Sequence, residues 1–294
     1  MISLSVIIVT KNRAQVLKHC LGSLASQTVA PKELIIINNS STDSTPQIVK
    51  NFENNVSFPV KVFVEKKSLY PVIYNRGLKE STGDWTAFID DDCVADPSWV
   101  ESILAGIKDY PNAAAIVGNS QTYFSKNIFS LATWMLDEVW KIDGRVGKNI
   151  RDFTTLDNKN IAYRRSFIDE KELQYDEKRV SFLGAAEDAD FGLQIQAVKG
   201  TANYLSKMII FHKDPQSWGH FWKKTIISQK AFNTLYQKWG SRINFCIDSN
   251  SNNSHKIWRN LRFLSISLIK KILIMLLMIA AGFITNNFLK HESH

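Results

Sequence analysis

The feature that most constrains this chain is an alternation of short apolar runs with helically spaced ones through residues 1–118. Leu4 to Val9 is a continuous apolar run of buried-strand length, and Val16, Leu17, Cys20, Leu21 and Leu24 then recur at helical spacing. Leu34 to Ile37 reads as a second strand, Thr45 to Phe52 as a short helix with Pro46 early in it, and Val60 to Val64 as a third strand. Val72 to Lys79 is helical, Trp85 to Ile89 is a fourth strand, Trp99 to Ile107 is a helix, and Ala113 to Val117 closes the series. Strands alternating with helices of this length predict an α/β fold whose mostly parallel sheet is covered on both faces.

Sheets of this kind bind ligands beyond the carboxyl ends of their strands. Three polar clusters converge on that rim: Thr10-Lys11-Asn12-Arg13 after the first strand, Asn38 to Asp43 after the second, and Asp90-Asp91-Asp92 after the fourth. Three consecutive carboxylates repel one another, and at least one pKa should rise unless a cation neutralises them. A hard divalent metal sharing its shell with phosphate oxygens would do so. The competing reading of the triplet is a solvated acidic turn, or an N-cap for the helix beginning near Pro97. Its company on the rim favours a nucleotide site.

With 294 residues and 45% hydrophobic content, the chain is long and apolar enough for a large folded domain, which excludes a disordered protein. The net charge of +8 is unevenly spread. A basic stretch from Lys213 to Lys271, including Arg242, Lys256, Arg259, Arg262 and Lys270, suits anionic partners: phosphates, lipid headgroups or nucleic acid. No nucleic-acid-binding motif accompanies it, so nucleic acid is not expected as a partner. Cys20, Cys93 and Cys246 show no metal-ligand spacing and fit a reduced compartment. The N-terminus reads as a strand without a basic leader, so the first domain is expected to be cytosolic, with no signal peptide.

Downstream the pattern is less regular. Residues 119–205 are rich in aromatics and carry Asp157-Asn158-Lys159-Asn160. Glu187-Asp188-Ala189-Asp190 precedes a helical pattern of Phe191, Leu193, Ile195 and Val198, where the acids also suit a helix dipole. Asp248 to Ser254 reads as a polar linker. Ile272 to Ile284 is almost wholly apolar, yet shorter than the roughly 20 residues that span a bilayer. With Lys270 and Lys271 before it, this segment is expected to associate with a membrane, lying in the interface or inserting as a short, tilted helix. A core helix docked on the folded domain is the alternative.

Five segments, in order, resemble the family 2 glycosyltransferases, which have the GT-A fold: SVIIVTKNR, LIIINNSSTDST, YNRGLKESTGDWTAFIDDD, NIAYRRSFI and LGAAEDADFGLQI. The likeness covers roughly residues 3–215. It implies a Rossmann-like three-layer sandwich, with Thr10, Asn12 and Asn39 lining a nucleoside pocket and Asp43 nearby. Asp90 and Asp92 would be the acidic motif, holding the ribose and a Mg²⁺ or Mn²⁺ that bridges the donor diphosphate. Asp188 would be the general base, with Glu187 beside it, and His212 stands where some relatives place a metal or phosphate contact. The implied activity is transfer of a sugar from a nucleoside-diphosphate-sugar donor to a hydroxyl acceptor, possibly lipid-linked, by single displacement with inversion. Two departures stand out: Asn38-Asn39 replaces an expected Asp in the second loop, which leaves the donor base open, and Tyr74 replaces an expected Arg.

The expected organisation is a GT-A domain over 1–215, with a nucleotide-binding half (1–118) and an acceptor half (119–215). A basic, aromatic helical extension and linker follow over 216–255, and a membrane-associated helical tail over 256–294. The expected location is the cytoplasmic face of a membrane. A nucleotidyltransferase and a catalytically inactive sugar-nucleotide-binding protein are the competing functions.

Overall fold

The computed structural model describes residues 2–178, 186–240 and 266–291. Arg242, Cys246, the linker at Asp248 to Ser254, Lys256, Arg259 and Arg262, and Leu183 to Ala185 of the second acidic segment lie outside the described residues. The alternating first part forms β1 (Leu4–Thr10), α1 (Ala14–Ala25), β2 (Glu33–Asn38), α2 (Thr45–Glu53), β3 (Val60–Val64), α3 (Tyr70–Glu80), β4 (Trp85–Ile89), β5 (Cys93–Ala95), α4 (Trp99–Asp109) and β6 (Ala115–Thr122). The expected elements are all present, most of them a few residues longer than the apolar pattern alone marks. β6 differs most, because its polar half, Asn119 to Thr122, pairs with a neighbour that periodicity cannot reveal.

The chain continues through α5 (Ile128–Asp143), β7 (Arg145–Val146), β8 (Asn149–Ile150), a 3₁₀ turn (Phe153–Thr155), β9 (Asn160–Arg164), α6 (Arg165–Glu170), α7 (Glu187–Ala197), β10 (Ala202–His212), α8 (Trp218–Trp239) and α9 (Leu268–His291). The central sheet is mostly parallel, in the order β3-β2-β1-β4-β9-β6-β10-β8-β7, with β5 paired to β10. β1 runs parallel to both β2 and β4, and β6 runs parallel to β10. β9 enters antiparallel between β4 and β6.

Alternate residues of the buried strands divide two cores, as strand geometry requires. Leu4, Val6 and Ile8 of β1 join Leu17, Leu21, Val49, Trp99 and Ile103 under α1, α2 and α4. Ile7 faces the other way, with Ile73 and Leu78 of α3, Phe167 of α6 and Phe191 and Ile195 of α7. These are the layers of a three-layer sandwich. A separate cluster joins Leu131, Ala132 and Met135 of α5, Phe221 of α8, and Ile274, Leu277, Met278 and Ala281 of α9. Among the described residues no helix is long and apolar enough to cross a membrane.

Candidate active site

The rim is assembled by strand register. β1 and β4 are in parallel register with Ile7 opposite Phe88. Three residues further along each chain, the Thr10 hydroxyl donates to Asp91 Oδ2 at 2.7 Å. Arg13, just before α1, binds Asp91 Oδ1 at 2.8 Å through Nη1 and Asp92 Oδ2 at 2.6 Å through Nη2. β5 then pairs antiparallel with β10, setting Cys93 opposite His212. That pairing carries His212 to the triplet: its Nε2 lies 3.4 Å from Asp92 Oδ1, and its Nδ1 lies 2.8 Å from Asp214 Oδ1.

Burial sets the electrostatics. Asp90 is pushed up to about 7 by burial, then by Asp92 and Asp157, with His212 opposing. Asp91 rises to about 6 by burial, against the pull of Arg13. Asp92 falls the other way: burial would raise it, but His212 and Arg13 together hold it well below the usual carboxylate range. His212 is correspondingly raised to about 9, since Asp92 and Asp214 outweigh its burial. Asp92 is therefore held ionised, while Asp90 and Asp91 are raised toward neutral pH.

The donor set accommodates a hard divalent ion. Asp92 Oδ1 is buried and makes no hydrogen bond among the described residues. One ligand atom each from Asp92, Cys93 and His212 lies within 4.8 Å of the others. The Cys93 thiol is driven well above its ordinary pKa by burial and by Asp92. That favours the Asp92 oxygen over sulfur as a donor, with His212 joining only as the neutral imidazole, and it matches Mn²⁺ or Mg²⁺ better than a thiolate-seeking metal.

The other two polar loops hold each other. Asn12, with φ of 51°, donates its amide to Ser41 Oγ at 2.9 Å and accepts from the Thr42 amide at 2.7 Å. Asp43 accepts from the Ala14 amide at 3.1 Å and the Thr45 amide at 3.0 Å, joining the starts of α1 and α2. Asn39 donates to the carbonyls of Glu65 at 2.8 Å and Lys67 at 3.0 Å and accepts from Ser68 at 3.0 Å. Both ends of its amide are occupied by these bonds, which tie the loop after β2 to the segment after β3.

The second acidic cluster faces the same region. Asp188, in the first turn of α7, is pushed up to about 6 by burial and by Asp157, while the Ala189 amide and Lys159 oppose the rise. Asp90, Glu187 and Asp188 all act electrostatically on the buried Tyr74 hydroxyl. Tyr70 stacks on Tyr74 with ring centroids 6.0 Å apart, and it too feels Asp90 and Glu187. Asp157 acts on both Asp90 and Asp188. It is neutralised by Lys159 at 2.6 Å and Lys141 at 3.0 Å. Arg13, Tyr70, Asp157 and Lys159 were not singled out as site residues from the sequence. Arg13, Asp157 and Lys159 lay inside polar clusters already noted, but nothing local marks Lys159 as a buried lysine.

The model of the family described as "Glycosyl transferase family 2" matches residues 5–170. A validoxylamine A glucosyltransferase of Streptomyces hygroscopicus subsp. limoneus is 32% identical over 128 residues, covering 42% of this chain and 28% of the relative. The probable glycosyltransferase YdaM of Bacillus subtilis is 24% identical over 231 residues, covering 75% of this chain and 53% of the relative. The chain thus spans between about a quarter and about half of these relatives. Among solved structures, S. aureus TarS 1-349 in complex with UDP-GlcNAc aligns with a TM-score of 0.59 at 18% identity, covering 96% of this chain and 73% of that one. Mannosyltransferase PcManGT from Pyrobaculum calidifontis, in complex with GDP-Man and Mn²⁺, aligns with a TM-score of 0.62 at 14% identity, covering 95% and 86%. At such identities the likeness fixes the fold, which is of GT-A type.

Proposed function

This chain belongs to glycosyl transferase family 2, and on that premise we propose that it transfers a sugar from a nucleoside-diphosphate-sugar to an acceptor hydroxyl with inversion at the anomeric carbon. The observation that carries the reading is the pairing of two unlike acidic sites: Asp92 on the strand rim, bound by Arg13 and beside His212, and Asp188 in the first turn of α7, whose carboxyl burial pushes up to about 6. The first suits a diphosphate site and the second suits proton transfer.

In this mechanism the Asp188 carboxylate takes the acceptor proton as the hydroxyl oxygen bonds to the anomeric carbon. The bond from that carbon to the diphosphate breaks, and its electron pair leaves with the nucleoside diphosphate. Asp90, Asp92 and His212 would hold a Mg²⁺ or Mn²⁺ that supplies positive charge to the departing diphosphate. Thr10 and Arg13 keep the triplet in place. A single base and no enzyme nucleophile means one displacement, hence inversion. The donor loops around Asn12, Asn39 and Asp43 would frame the nucleoside.

The acceptor is proposed to be lipid-linked, in polysaccharide, glycan or glycolipid assembly at the cytoplasmic face of a membrane. Support comes from α9. One side of it docks on α5, while Leu268, Ile269, Ile272, Leu273, Leu276 and Ile279 are exposed, beside Lys270 and Lys271. A helix with one face docked and an aliphatic face free suits an interface rather than a span.

The test is a panel of sugar nucleotides, UDP-GlcNAc and GDP-mannose among them, incubated with Mn²⁺ and membrane lipid extract while nucleoside diphosphate is followed. Metal-dependent release is expected, and Asp92→Asn should abolish it. No release from any donor would reject the reading, and binding without release would indicate a sugar-nucleotide-binding protein instead.

A further inference from the structure

The start of α7 is weakly determined by its own sequence. Its N-cap is Ala186, with φ of 65° and no capping side chain, and three acids, Glu187, Asp188 and Asp190, crowd its first turn. A left-handed alanine is an unfavourable start for a helix. The helix dipole offsets part of the acidic crowding but does not fix the direction of the turn.

That fixing comes from outside. Asp190 is only 1% exposed. Its Oδ1 accepts from Trp239 Nε1 at 2.8 Å, and Lys238 Nζ lies 2.8 Å from Oδ1 and 2.9 Å from Oδ2. Gln194 Nε2 adds a bond to Oδ2 at 3.1 Å. Lys238 also reaches Asp176 Oδ2 at 2.8 Å, so one ammonium joins α8, α7 and the segment after α6. Ala189 and Leu193 of α7 pack with Ala231, Leu235 and Trp239 beneath these bonds. On the other side, Phe191 stacks on Tyr175 at 4.3 Å, and Tyr175 donates to Asn158 Oδ1 at 2.9 Å.

We infer that Lys238 and Trp239 are positioning residues for the base: through Asp190, the C-terminal end of α8 sets the first turn of α7 and so the carboxyl of Asp188. Neither residue touches the reacting groups. The inference rests on the proposed role of Asp188 as base. A buried carboxylate two residues from the base is compatible with a working base only while its charge is matched, and Lys238 supplies the match. Among the described residues, the other groups that face Asp188 are Asp157 and Lys159 from the segment before β9, Glu187 in its own turn, and the phenols Tyr74 and Tyr163.

The experiment is carbon-13 NMR of aspartate carboxyls in the full chain, with the Asp188 resonance assigned by Asp188→Asn, alongside a pH profile of donor turnover with UDP-GlcNAc or GDP-mannose and Mn²⁺. Lys238→Met should raise the Asp188 titration by about half to one pH unit, the scale of an unmatched charge nearby. The acidic limb of turnover should move with it, while the donor KM stays within about twofold, the scatter expected when no donor contact is lost. Lys238→Arg should restore both. Trp239→Phe, which keeps the packing and removes one donor, should lower kcat about 3- to 10-fold, as loss of a single hydrogen bond does. An Asp188 titration unmoved in Lys238→Met, or lowered toward the ordinary carboxylate range as a loosened, hydrated turn would give, overturns the inference alone. Turnover surviving in Asp188→Asn overturns the base assignment and this inference with it.

Discussion

Asp188 and Asp91 are both carboxylates that burial pushes up to about 6, yet their surroundings suit them to different tasks. Asp91 is answered by Arg13 and the Thr10 hydroxyl, so its charge is spent on bracing the rim. Asp91→Asn should therefore lower stability by about 1–3 kcal/mol in denaturant titration, the cost of an unpaired buried partner. An unchanged midpoint would remove the brace. Asp188 is held by the Ala189 amide rather than by a side-chain cation, which leaves it able to take a proton. The sign of its pH effect follows: the carboxylate is the active form, so kcat/KM should fall as pH drops through about 6, the value burial gives it. A flat profile between pH 5 and 8 would contradict that assignment. At this scale the acids were legible because clustered carboxylates at strand ends are rare in sequence. Their partners Arg13 and Lys159 were not, because they gain meaning only when distant segments meet; His212 was marked by the family resemblance alone, and the pairing of β5 with β10 is what carries it to the triplet.

Among the elements, the apolar periodicity was enough to find β1 to β4 and the helices between them, since each buries one continuous face. It was silent on β5, three residues long, and on the antiparallel insertion of β9, because pairing partners leave no local trace. α5 was missed for another reason: its aromatic residues and buried acids, Asp137 among them, obscure the helical period. Glu33 shows how elements are tied. Its carboxylate accepts from Ser5 of β1 at 2.6 Å and the Thr82 amide before β4 at 2.7 Å, and it pairs with Lys61 of β3 at 2.7 Å. Burial would raise its pKa, but Lys61, Ser5 and Thr82 lower it to about 2. A depressed folded pKa means stabilisation that is fully present above about 4.5 and is lost as pH falls toward 2. Glu33→Gln should thus destabilise by roughly 1–3 kcal/mol at pH 7, with the difference from wild type shrinking toward pH 2. A difference independent of pH would show that shape, not charge, matters there.

For the molecule as a whole, α8 and α9 are joined to the domain rather than trailing from it. α9 packs on α5 and α8, and the end of α8 packs on α7. The sequence showed an apolar tail with basic neighbours but could not show that one side of it is already covered. The exposed aliphatic face is where a membrane would act, so Ile269→Gln with Leu276→Gln should cut co-sedimentation with anionic vesicles several-fold while leaving the melting temperature within a few degrees, since exposed side chains contribute little to folding. Undiminished co-sedimentation would place membrane attachment elsewhere. Function as proposed here requires that the rim bind a sugar nucleotide while Asp188, from a separate element, accepts the acceptor proton. It is tested most directly by measuring donor binding and nucleoside diphosphate release side by side in wild type and Asp188→Asn with Mn²⁺. Donor affinity should stay within about threefold, and release should slow by about 10²- to 10⁴-fold, the usual worth of a positioned base. Release at the wild-type rate from Asp188→Asn would contradict it.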